Sequence, residues 1–298
     1  MKEITNCVIC NSSQHRQFLV CKDFTVSKQN FTIQQCSDCG FKFTSPRPED
    51  KDLGNYYKSE EYVSHSDTKK GLINKLYHWV RNYTLIKKLQ LLIHYSGKKG
   101  GSILDYGCGT GAFLNICSKN KWQTYGIEPD SDARNFAITN YMLNVSKDVS
   151  EAIVKLKGNQ VNAITMWHVL EHVSDLEELF SFIKQSLIAN GILIIAVPNC
   201  SSYDAKYYGV NWAAYDVPRH LYHFTPKDIE RLLTKQGFKL EKTLPMIFDS
   251  FYVSMLSEKY KSGSINYMKA FYRGLISNFK ANKTGKEFSS QIYVFRKQ

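Results

Sequence analysis

The segment at residues 105–111, Asp-Tyr-Gly-Cys-Gly-Thr-Gly, constrains the fold of this chain more than any other feature. It follows an apolar stretch that ends at Asp105, and a helix-like stretch begins at about Ala112. Glycines at alternate positions allow a sharp turn and a close approach of the backbone to a ligand. A helix that starts directly after such a turn also presents free backbone amides. The segment therefore predicts a strand, a ligand-binding turn and a helix within an open α/β sheet.

The spacing and the charge of this turn narrow the choice of ligand. Its glycines, Gly107, Gly109 and Gly111, follow G-x-G-x-G rather than the G-x-G-x-x-G of dinucleotide-binding turns, and the chain has no P-loop motif. Asp105 would repel a pyrophosphate but attract the ammonium and sulfonium groups of S-adenosylmethionine (SAM). Glu128 ends the second strand, where an acid can accept both ribose hydroxyls. Taken alone, Glu128 could equally be a surface carboxylate, but together with the glycine turn it predicts a SAM site.

Beyond the first hundred residues, apolar stretches alternate with helix-like ones, which is typical of a mostly parallel sheet with helices on both faces. The predicted strands are 102–105, 122–128, 161–167, 191–197, 238–244 and 290–296. One helix is predicted to begin near Ser174 and to end at Gly191. Another has Thr225 as its N-cap, Pro226 at its first position and Gly237 as its end. We expect the α/β fold class.

Four of the eight cysteines form two C-x2-C pairs near the N-terminus. The pairs are Cys7 with Cys10 and Cys36 with Cys39, and two such knuckles can complete the tetrahedral site of a structural zinc ion. A unit of about 40 residues buries little apolar core, so a bound metal would stabilise it. Two redox-active pairs are the alternative. We predict a zinc-ribbon-like lobe over residues 1–45.

The stretch after this lobe breaks regular structure at two prolines and then stays polar. We predict a linker over residues 46–68 and a single domain over residues 69–298. Residues 70–95 have apolar side chains at helical spacing, and residues 69–99 contain eight Lys or Arg and no acid. Such a basic amphipathic helix can lie on an anionic membrane. Packing of its apolar face on the domain is the interpretation that we prefer, and peripheral membrane contact is the alternative.

The formal net charge of +12 is concentrated at the two ends of the chain, whereas the middle is slightly acidic. An enzyme of nucleic acids should carry a basic working surface, so this distribution argues against a nucleic-acid partner. It remains compatible with an anionic small-molecule acceptor that docks on the basic flanks. The chain has neither an apolar run of about 18 residues nor a signal peptide, and we expect a cytoplasmic protein.

Three segments together resemble the class I SAM-dependent methyltransferases, and most of all the branch that includes the ubiquinone-pathway O-methyltransferases. They are 104–111 (LDYGCGTG), 125–129 (YGIEP) and 167–173 (WHVLEHV). The resemblance covers about residues 70–298. It implies a Rossmann-like sheet of seven mostly parallel strands with helices on both faces.

The resemblance also implies roles for individual residues. Asp105 and the glycine turn would hold the methionine part of SAM, and Glu128 would hold the ribose. Asp148 lies where relatives often contact the adenine edge, and Trp167 would border the cofactor.

A second group of polar residues, His168, Glu171 and His172, follows the third predicted strand, at the edge where ligands bind in open α/β sheets. These residues would share one face if the stretch is helical. An acid/base or positioning role is the first hypothesis. Some relatives, including small-RNA 3′-end methyltransferases, bind a divalent metal here through Glu-x-x-Glu-His, so a metal with His220 or His223 as a further ligand is the second. The third is that Glu171 and His172 only order the loop and cap the next helix.

The connection at residues 212–225 is unusually aromatic, and long connections at this edge commonly form the acceptor pocket. Its Pro-Arg-His-Leu-Tyr-His-Phe-Thr run resembles methyltransferases of cell-envelope and secondary-metabolite gene clusters. Arg219 could pair with a carboxylate or phosphate of the acceptor. His220 could take the proton of an attacking hydroxyl. The alternative is that both belong to a buried structural network.

These observations favour a methyltransferase that acts on a hydroxyl or carbon of a sugar nucleotide, a glycolipid or a secondary-metabolite precursor. The zinc knuckles also resemble the N-terminal lobe of sugar C-methyltransferases. An RNA or protein methyltransferase that uses the zinc lobe for recognition is the alternative. The strand at 161–167 is not followed by the Asn/Asp-Pro-Pro-aromatic motif of amino-methylating nucleic-acid enzymes or by a Pro-Cys nucleophile. A non-catalytic SAM-binding adaptor is the third hypothesis.

Overall fold

The computed structural model describes residues 1–57, 72–284 and 287–298. From the N-terminus, its strands are β1 (His15–Lys22), β2 (Asn30–Cys36), β3 (Lys42–Thr44), β4 (Gly101–Tyr106), β5 (Trp122–Ile127), β6 (Asn144–Ser146), β7 (Val161–Trp167), β8 (Leu187–Pro198), β9 (Tyr222–His223), β10 (Phe238–Pro245) and β11 (Ser290–Lys297). Its helices are α1 (Asp50–Leu53), α2 (Leu72–Ser96), α3 (Ala112–Lys119), α4 (Ser131–Tyr141), α5 (Val149–Leu156), α6 (Leu176–Ser186), α7 (Tyr203–Tyr208), α8 (Pro226–Lys235), α9 (Asp249–Ser262) and α10 (Tyr267–Thr284).

Seven strands form the larger sheet, in the spatial order β10-β11-β8-β7-β4-β5-β6. The neighbouring pairs from β8 to β6 are all parallel, whereas β11 is antiparallel to both β10 and β8. The carboxyl ends of β4, β5 and β7 therefore lie side by side at one edge. The prediction of a seven-stranded, mostly parallel α/β sheet is confirmed.

Both faces of this sheet are buried, and neighbouring residues of a strand point to opposite faces. Ile103 packs with helices α2, α3 and α4, whereas Leu104 packs with α5, α6 and α8. The same alternation separates Ala163 from Ile164 on β7. The sheet thus positions the edge of β4, β5 and β7 as a rigid platform between two helical layers.

Two helices show where the predicted helix ends agree with the structure and where they differ from it. Helix α8 begins as predicted, because Thr225 is its N-cap and forms a reciprocal capping box with Asp228. Helix α6 differs at both ends. Its N-cap is Asp175 rather than Ser174, and it ends at Ser186, because β8 already begins at the next residue. Residues that were predicted to finish the helix belong instead to a long strand.

The N-terminal lobe contains a four-stranded antiparallel sheet in the order β1-β2-β3-β9. Strand β9 comes from the aromatic connection near the end of the larger domain, so the lobe and that connection share one sheet. Thr44 strengthens the junction, since its hydroxyl donates to the carbonyl of His220 at 2.8 Å. The lobe therefore fixes the position of the segment that carries Arg219 and His220.

The predicted linker is described only in part. Residues 46–57 contain α1 and a 3-10 turn at Gly54–Tyr57, and the remainder of the linker, with the first residues of the helix predicted at 70–95, lies outside the described residues. Within the described part of the chain, none of the helices is long and apolar enough to cross a membrane.

Candidate active site

The glycine turn after β4 adopts a backbone that requires glycine at three positions. Gly107, Gly109 and Gly111 have φ angles of 73°, 54° and 76°, in the left-handed region. A Cβ on Gly107 would lie 2.5 Å from Val169 Cγ2, and one on Gly111 would lie 2.5 Å from Leu143 Cδ1. A Cβ on Gly109 would meet nothing within 4 Å. Two of the glycines thus serve packing, whereas the middle one borders open space that a ligand can enter.

Glu128 is fixed beside that open space by backbone amides. The amide of Gly109 donates to its Oε2 at 2.8 Å, and the amide of Asp130 donates to its Oε1 at 2.9 Å. Burial raises the pKa of Glu128, and these two amides oppose that effect. The carboxylate is therefore held in place directly after β5, and its contact with a ribose stays a prediction.

Asp105 is buried at the end of β4, in the middle of the sheet edge. Its side chain accepts one hydrogen bond, from the hydroxyl of Thr165 on β7 at 2.5 Å. Burial raises the pKa of Asp105 to about 7, although Thr165 and the nearby Lys88 act in the opposite direction. A buried carboxylate of this kind gains most from a cationic partner. Contact of Asp105 with the amino group of SAM stays a prediction.

Lys88 on α2 is a second polar residue of this region, and the sequence analysis did not single it out. Its ammonium lies 4.2 Å from the centroid of the Trp167 ring. Burial lowers the pKa of Lys88, while Asp105 and Asp249 raise it. The sequence could have singled out Lys88 by its position, because it interrupts the apolar face of α2 between Leu85 and Leu92.

Asp148 lies at the same sheet edge, directly after β6. Its carboxylate is exposed and caps α5, accepting from the amide of Glu151 at 2.9 Å. The backbone carbonyl of Ser146, two residues earlier, accepts from the amide of Glu128 at 2.9 Å, which connects the two acids through the backbone. Contact of Asp148 with an adenine stays a prediction.

His168 lies outside the helical turn that contains the two residues with which the sequence grouped it. Only Leu170–His172 form a 3-10 turn, and His168 precedes that turn with a left-handed φ of 58°. Its Nε2 lies 3.1 Å from Asp249 Oδ2, and its Nδ1 lies 3.6 Å from Glu171 Oε1. Burial alone would lower the pKa of His168, but these two carboxylates outweigh it and raise the pKa to about 10. His168 is therefore a cation between two acids.

Asp249, the partner of His168, was also missed. It is the first residue of α9 and far from His168 in the chain, and nothing in the local pattern around it distinguishes it from an ordinary acid in the first turn of a helix.

Glu171, His172 and His220 form a compact group next to His168, with ligand-type atoms all within 4.8 Å of one another. The His172 and His220 rings meet edge to face, with centroids 4.5 Å apart. Burial and the neighbouring His220 lower the pKa of His172 to about 4, so His172 is neutral near pH 7. The structure thus brings three of the predicted acceptor-side residues together.

Arg219 does not reach the acceptor region, contrary to the expectation that it pairs with a carboxylate or phosphate of the acceptor. Its side chain is buried, and its guanidinium donates to both carboxylate oxygens of Asp216, to Asp23 and to the carbonyl of Tyr56. These acids outweigh burial and raise the pKa of Arg219. The alternative of a buried structural network describes Arg219 correctly, because one arginine connects the lobe, the linker region and the 212–225 segment.

His223 is buried as well. Its Nε2 lies 3.0 Å from the Thr44 hydroxyl, on the side of the lobe. His223 is not part of the group formed by Glu171, His172 and His220.

The four cysteines of the two knuckles converge in the N-terminal lobe. Cys7 Sγ lies 3.5 Å from Cys39 Sγ, and Cys10 Sγ lies 3.5 Å from Cys36 Sγ. All four sulfur atoms lie within 4.8 Å of one another. Metal–sulfur bonds of about 2.3 Å place the sulfur atoms of a tetrahedral site at nearly this separation. The donor set and its spacing fit a structural zinc ion.

A model of a methyltransferase domain matches residues 77–243, which is more than half of the chain. This chain belongs to that methyltransferase family. This chain is similar in fold to a solved structure of magnesium protoporphyrin IX methyltransferase from Synechocystis PCC 6803 with S-adenosylhomocysteine bound. The TM-score is 0.53 and the identity is 14%, and the match covers 84% of this chain and 100% of that one. A second structure of that protein, with SAM bound, gives a TM-score of 0.50 and 14% identity, covering 86% and 100%. No curated protein matches the sequence significantly.

The family match and the fold confirm the prediction of a SAM-dependent methyltransferase. The matched residues of the methyltransferase include the glycine turn, Glu128 and both histidines of the compact group. They do not include the cysteine lobe, Asp249 or Tyr57, whose phenol oxygen lies 2.8 Å from His172 Nδ1. The acceptor side therefore combines the family domain with residues from outside it.

Proposed function

We propose that this methyltransferase moves the methyl group of SAM to a hydroxyl or a carbon of a small molecule. One observation carries the proposal: the open space at Gly109, in the turn that follows Asp105, where the amide of Gly109 donates to the carboxylate of Glu128. Asp105 would bind the amino group, Glu128 would accept from the ribose hydroxyls, and the ring of Trp167 would border the methyl group. Asp148 would reach the adenine.

The chemistry asks little of the protein beyond alignment. SAM supplies an electrophilic methyl group, and most of the acceleration comes from holding the nucleophile in line with it. A hydroxyl acceptor must also lose a proton, which a positioned base can accelerate by about 10²–10⁴-fold. His172 is the base that we propose, because its ring is neutral near pH 7 and the carboxylate of Glu171 favours the protonated form that it must reach, against the burial that lowers its pKa. Glu171 and His220 would position it.

We propose an anionic acceptor, such as a sugar nucleotide, a glycolipid or a secondary-metabolite precursor. The basic flanks of the chain support this, since the formal net charge of +12 is concentrated at its two ends. Arg219 would act as a positioning residue, because its buried ion pairs hold the segment that ends in His220.

We further propose that Cys7, Cys10, Cys36 and Cys39 hold a structural zinc ion. When bound, zinc would supply the cohesion that the small core of the lobe lacks. The lobe would thereby also hold His220, through the pairing of β3 with β9 and the hydrogen bond from Thr44.

Peripheral contact with an anionic membrane is a further proposal, and exposed apolar side chains on two basic helices support it. Helix α10 contains four basic residues and no acid, and it exposes Met268, Phe271, Tyr272, Leu275 and Phe279. Helix α2 exposes Trp79, Tyr83 and Ile86. Tyr83 of α2 contacts Phe248 next to α9, and Phe271 of α10 stacks on Phe251 of α9, so both helices adjoin α9.

Two measurements test the proposed function. Calorimetry should detect SAM binding to the purified protein, and absence of binding would refute the SAM site. Transfer of tritiated methyl groups to pools of sugar nucleotides, lipids and total RNA should label one of the small-molecule pools. Label that enters only RNA would replace our proposal by the nucleic-acid alternative, and binding without transfer to any pool would favour an adaptor.

A further inference from the structure

The ring of His172, the proposed base, is held on one side by two oxygen atoms. Its Nδ1 lies 3.0 Å from the carbonyl oxygen of Arg219 and 2.8 Å from the phenol oxygen of Tyr57. The phenol comes from the 3-10 turn at Gly54–Tyr57, between the N-terminal lobe and the residues that the family model matches. The family domain therefore does not supply this contact with its own base.

The carbonyl of Arg219 decides which nitrogen of His172 carries the ring proton. A carbonyl oxygen only accepts, and among the described residues no backbone amide donates to this one. Arg219 is buried, so its carbonyl needs a donor, and Nδ1 of His172 is the group in position. The proton of the neutral ring is therefore on Nδ1, and Nε2 keeps the lone pair that can accept a proton.

The phenol oxygen of Tyr57 then accepts from the same N–H, because a protonated Nδ1 has no lone pair to accept from the phenol. Two acceptors on one N–H restrain the ring against rotation. Nε2 is directed away from both of them. The contact thus fixes the tautomer and the orientation that a base requires.

The position of the phenol is fixed by its neighbour in the same turn. The carbonyl of Tyr56 accepts from the buried guanidinium of Arg219 at 2.9 Å. The side chain of Arg219 thus holds the turn, while the carbonyl of Arg219 and the phenol of Tyr57 hold His172. Each of these three contacts supports the other two.

We propose that Tyr57 is a positioning residue of the methyl transfer, which accepts from Nδ1–H of His172 and keeps Nε2 ready for the proton of the acceptor. This role rests on the proposed function, in which His172 is the base. It adds to the site a residue from outside the family domain.

The proton transfer shows where the phenol has its effect. As the hydroxyl oxygen of the acceptor bonds to the methyl carbon, the carbon–sulfur bond breaks and its electron pair stays on the sulfur. The hydroxyl proton moves to Nε2 of His172, and later passes to solvent. While the ring is protonated it is a cation, and hydrogen bonds from a charged donor are the stronger ones. Tyr57 therefore stabilises the protonated base more than the neutral one.

Heteronuclear NMR of the full-length protein, labelled at its histidine nitrogens, tests the tautomer without any acceptor. In the wild type near pH 7, His172 should have a protonated Nδ1 and an unprotonated Nε2, and its signals are those that are missing in His172→Gln. In Tyr57→Phe the Nδ1 proton should exchange with water about tenfold faster, because one of its two acceptors is gone. Tyr56→Phe is the matched control, since it keeps the backbone carbonyl that accepts from Arg219, and it should exchange as the wild type does.

Transfer from tritiated SAM to the small-molecule pool that the wild type labels measures the effect on the reaction. At saturating SAM, Tyr57→Phe should lower the rate by about tenfold, because a hydrogen bond to the protonated base is lost. The Michaelis constant for SAM should stay within about twofold of wild type, since the phenol contacts the base and not the cofactor. Tyr56→Phe should keep both values.

A wild-type His172 with its proton on Nε2 overturns the proposal, and this result does not depend on whether Tyr57→Phe folds. An unchanged Nδ1 exchange rate or an unchanged transfer rate in folded Tyr57→Phe overturns it as well. If no pool is labelled, the proposed function fails, whereas the NMR spectra still show whether Tyr57 holds His172. The two failures are therefore distinguishable.

Discussion

The cofactor side and the acceptor side of this methyltransferase are built in opposite ways. The proposed cofactor side consists of Asp105, the glycine turn and Glu128, which lie at the ends of two adjacent parallel strands and close together in the chain. The acceptor side brings together Tyr57, the turn after β7, the 212–225 segment and Asp249, which are far apart in the chain. A side built from one local motif should tolerate changes elsewhere, whereas a side assembled from four segments should be sensitive to all of them.

The largest effect should come from Gly109→Arg. The side chain would fill the open space that SAM requires, and we expect SAM affinity to fall by at least about 100-fold, or about 2.8 kcal/mol. Calorimetry measures the loss. Gly158→Arg is the matched control, because Gly158 has a similar φ of +78° and also faces open space, but lies in the loop before β7 at the opposite edge of the sheet. Equal SAM affinity in both variants would remove the glycine turn from the cofactor site.

The same contrast explains how much of the molecule the sequence could predict. Asp105, the glycine turn and Glu128 are specified by spacing within one strand–turn–helix unit, so their proximity was accessible from the pattern. The four cysteines were accessible for the same reason, since each pair is local. Arg219 was also recognised as a special residue, but its partner Asp23 was not, because pairing across the lobe boundary leaves no trace in local spacing. Its other partner, Asp216, lies three residues away in the same segment and was within reach of the pattern.

Lys88 and Asp249 mark the limit of such reasoning. Lys88 carried a weak signal, because it is a cation on the apolar face of α2. A count of the charges along α2 does not distinguish it from the other basic residues of that helix. Asp249 carried none, since acids are common in the first turn of any helix. The end of α6 was also wrong in the sequence prediction. The sequence Asn190-Gly191 normally ends a helix, but here both residues lie inside strand β8, which already begins at Leu187.

The next largest effect should come from Cys36→Ser, which should impair the acceptor side and leave the cofactor side intact. Loss of one thiolate should release the zinc, and the lobe should then no longer hold β9 and His220. We expect methyl transfer to fall by about tenfold or more, with SAM affinity within about threefold of wild type, since metal-ligand loss unfolds small zinc units. Elemental analysis and calorimetry measure the two quantities. Cys21→Ser, a buried cysteine of the same lobe outside the cluster, should keep its zinc.

If Cys36→Ser loses SAM binding as strongly as methyl transfer, the two sides are one cooperative unit and the comparison fails. If the variant keeps its zinc, the four-cysteine assignment fails instead.

A pH titration of SAM affinity should give a moderate effect that belongs to the cofactor side alone. The pKa of Asp105 is raised to about 7 in the free protein, and a bound cation favours its ionised form. Below pH 7 the free protein carries a proton that binding must displace, so affinity should fall as pH falls, by at most about tenfold per unit. Calorimetry between pH 5.5 and 7.5, about the range in which Asp105 titrates, measures the slope. In Asp105→Asn the affinity should be weak and nearly independent of pH, and an unchanged slope in this variant would assign the titration to another group.

The smallest expected effect concerns the outer surface of the acceptor side. If α10 contacts an anionic bilayer, wild-type protein should sediment with vesicles that contain phosphatidylserine and less with phosphatidylcholine vesicles, and added salt should weaken the binding. Replacing Met268 and Phe279 by Ser removes two exposed apolar side chains and should weaken binding by about three- to tenfold. Val154→Ser, an exposed residue of α5, should have no effect. The acceptor would then be reached at a lipid surface, and the acceptor side would differ from the cofactor side in location as well as in construction. Absence of sedimentation at low salt would mean that the exposed faces of these helices contact only solvent. The cofactor side and the acceptor side would then differ only in how they are assembled from the chain.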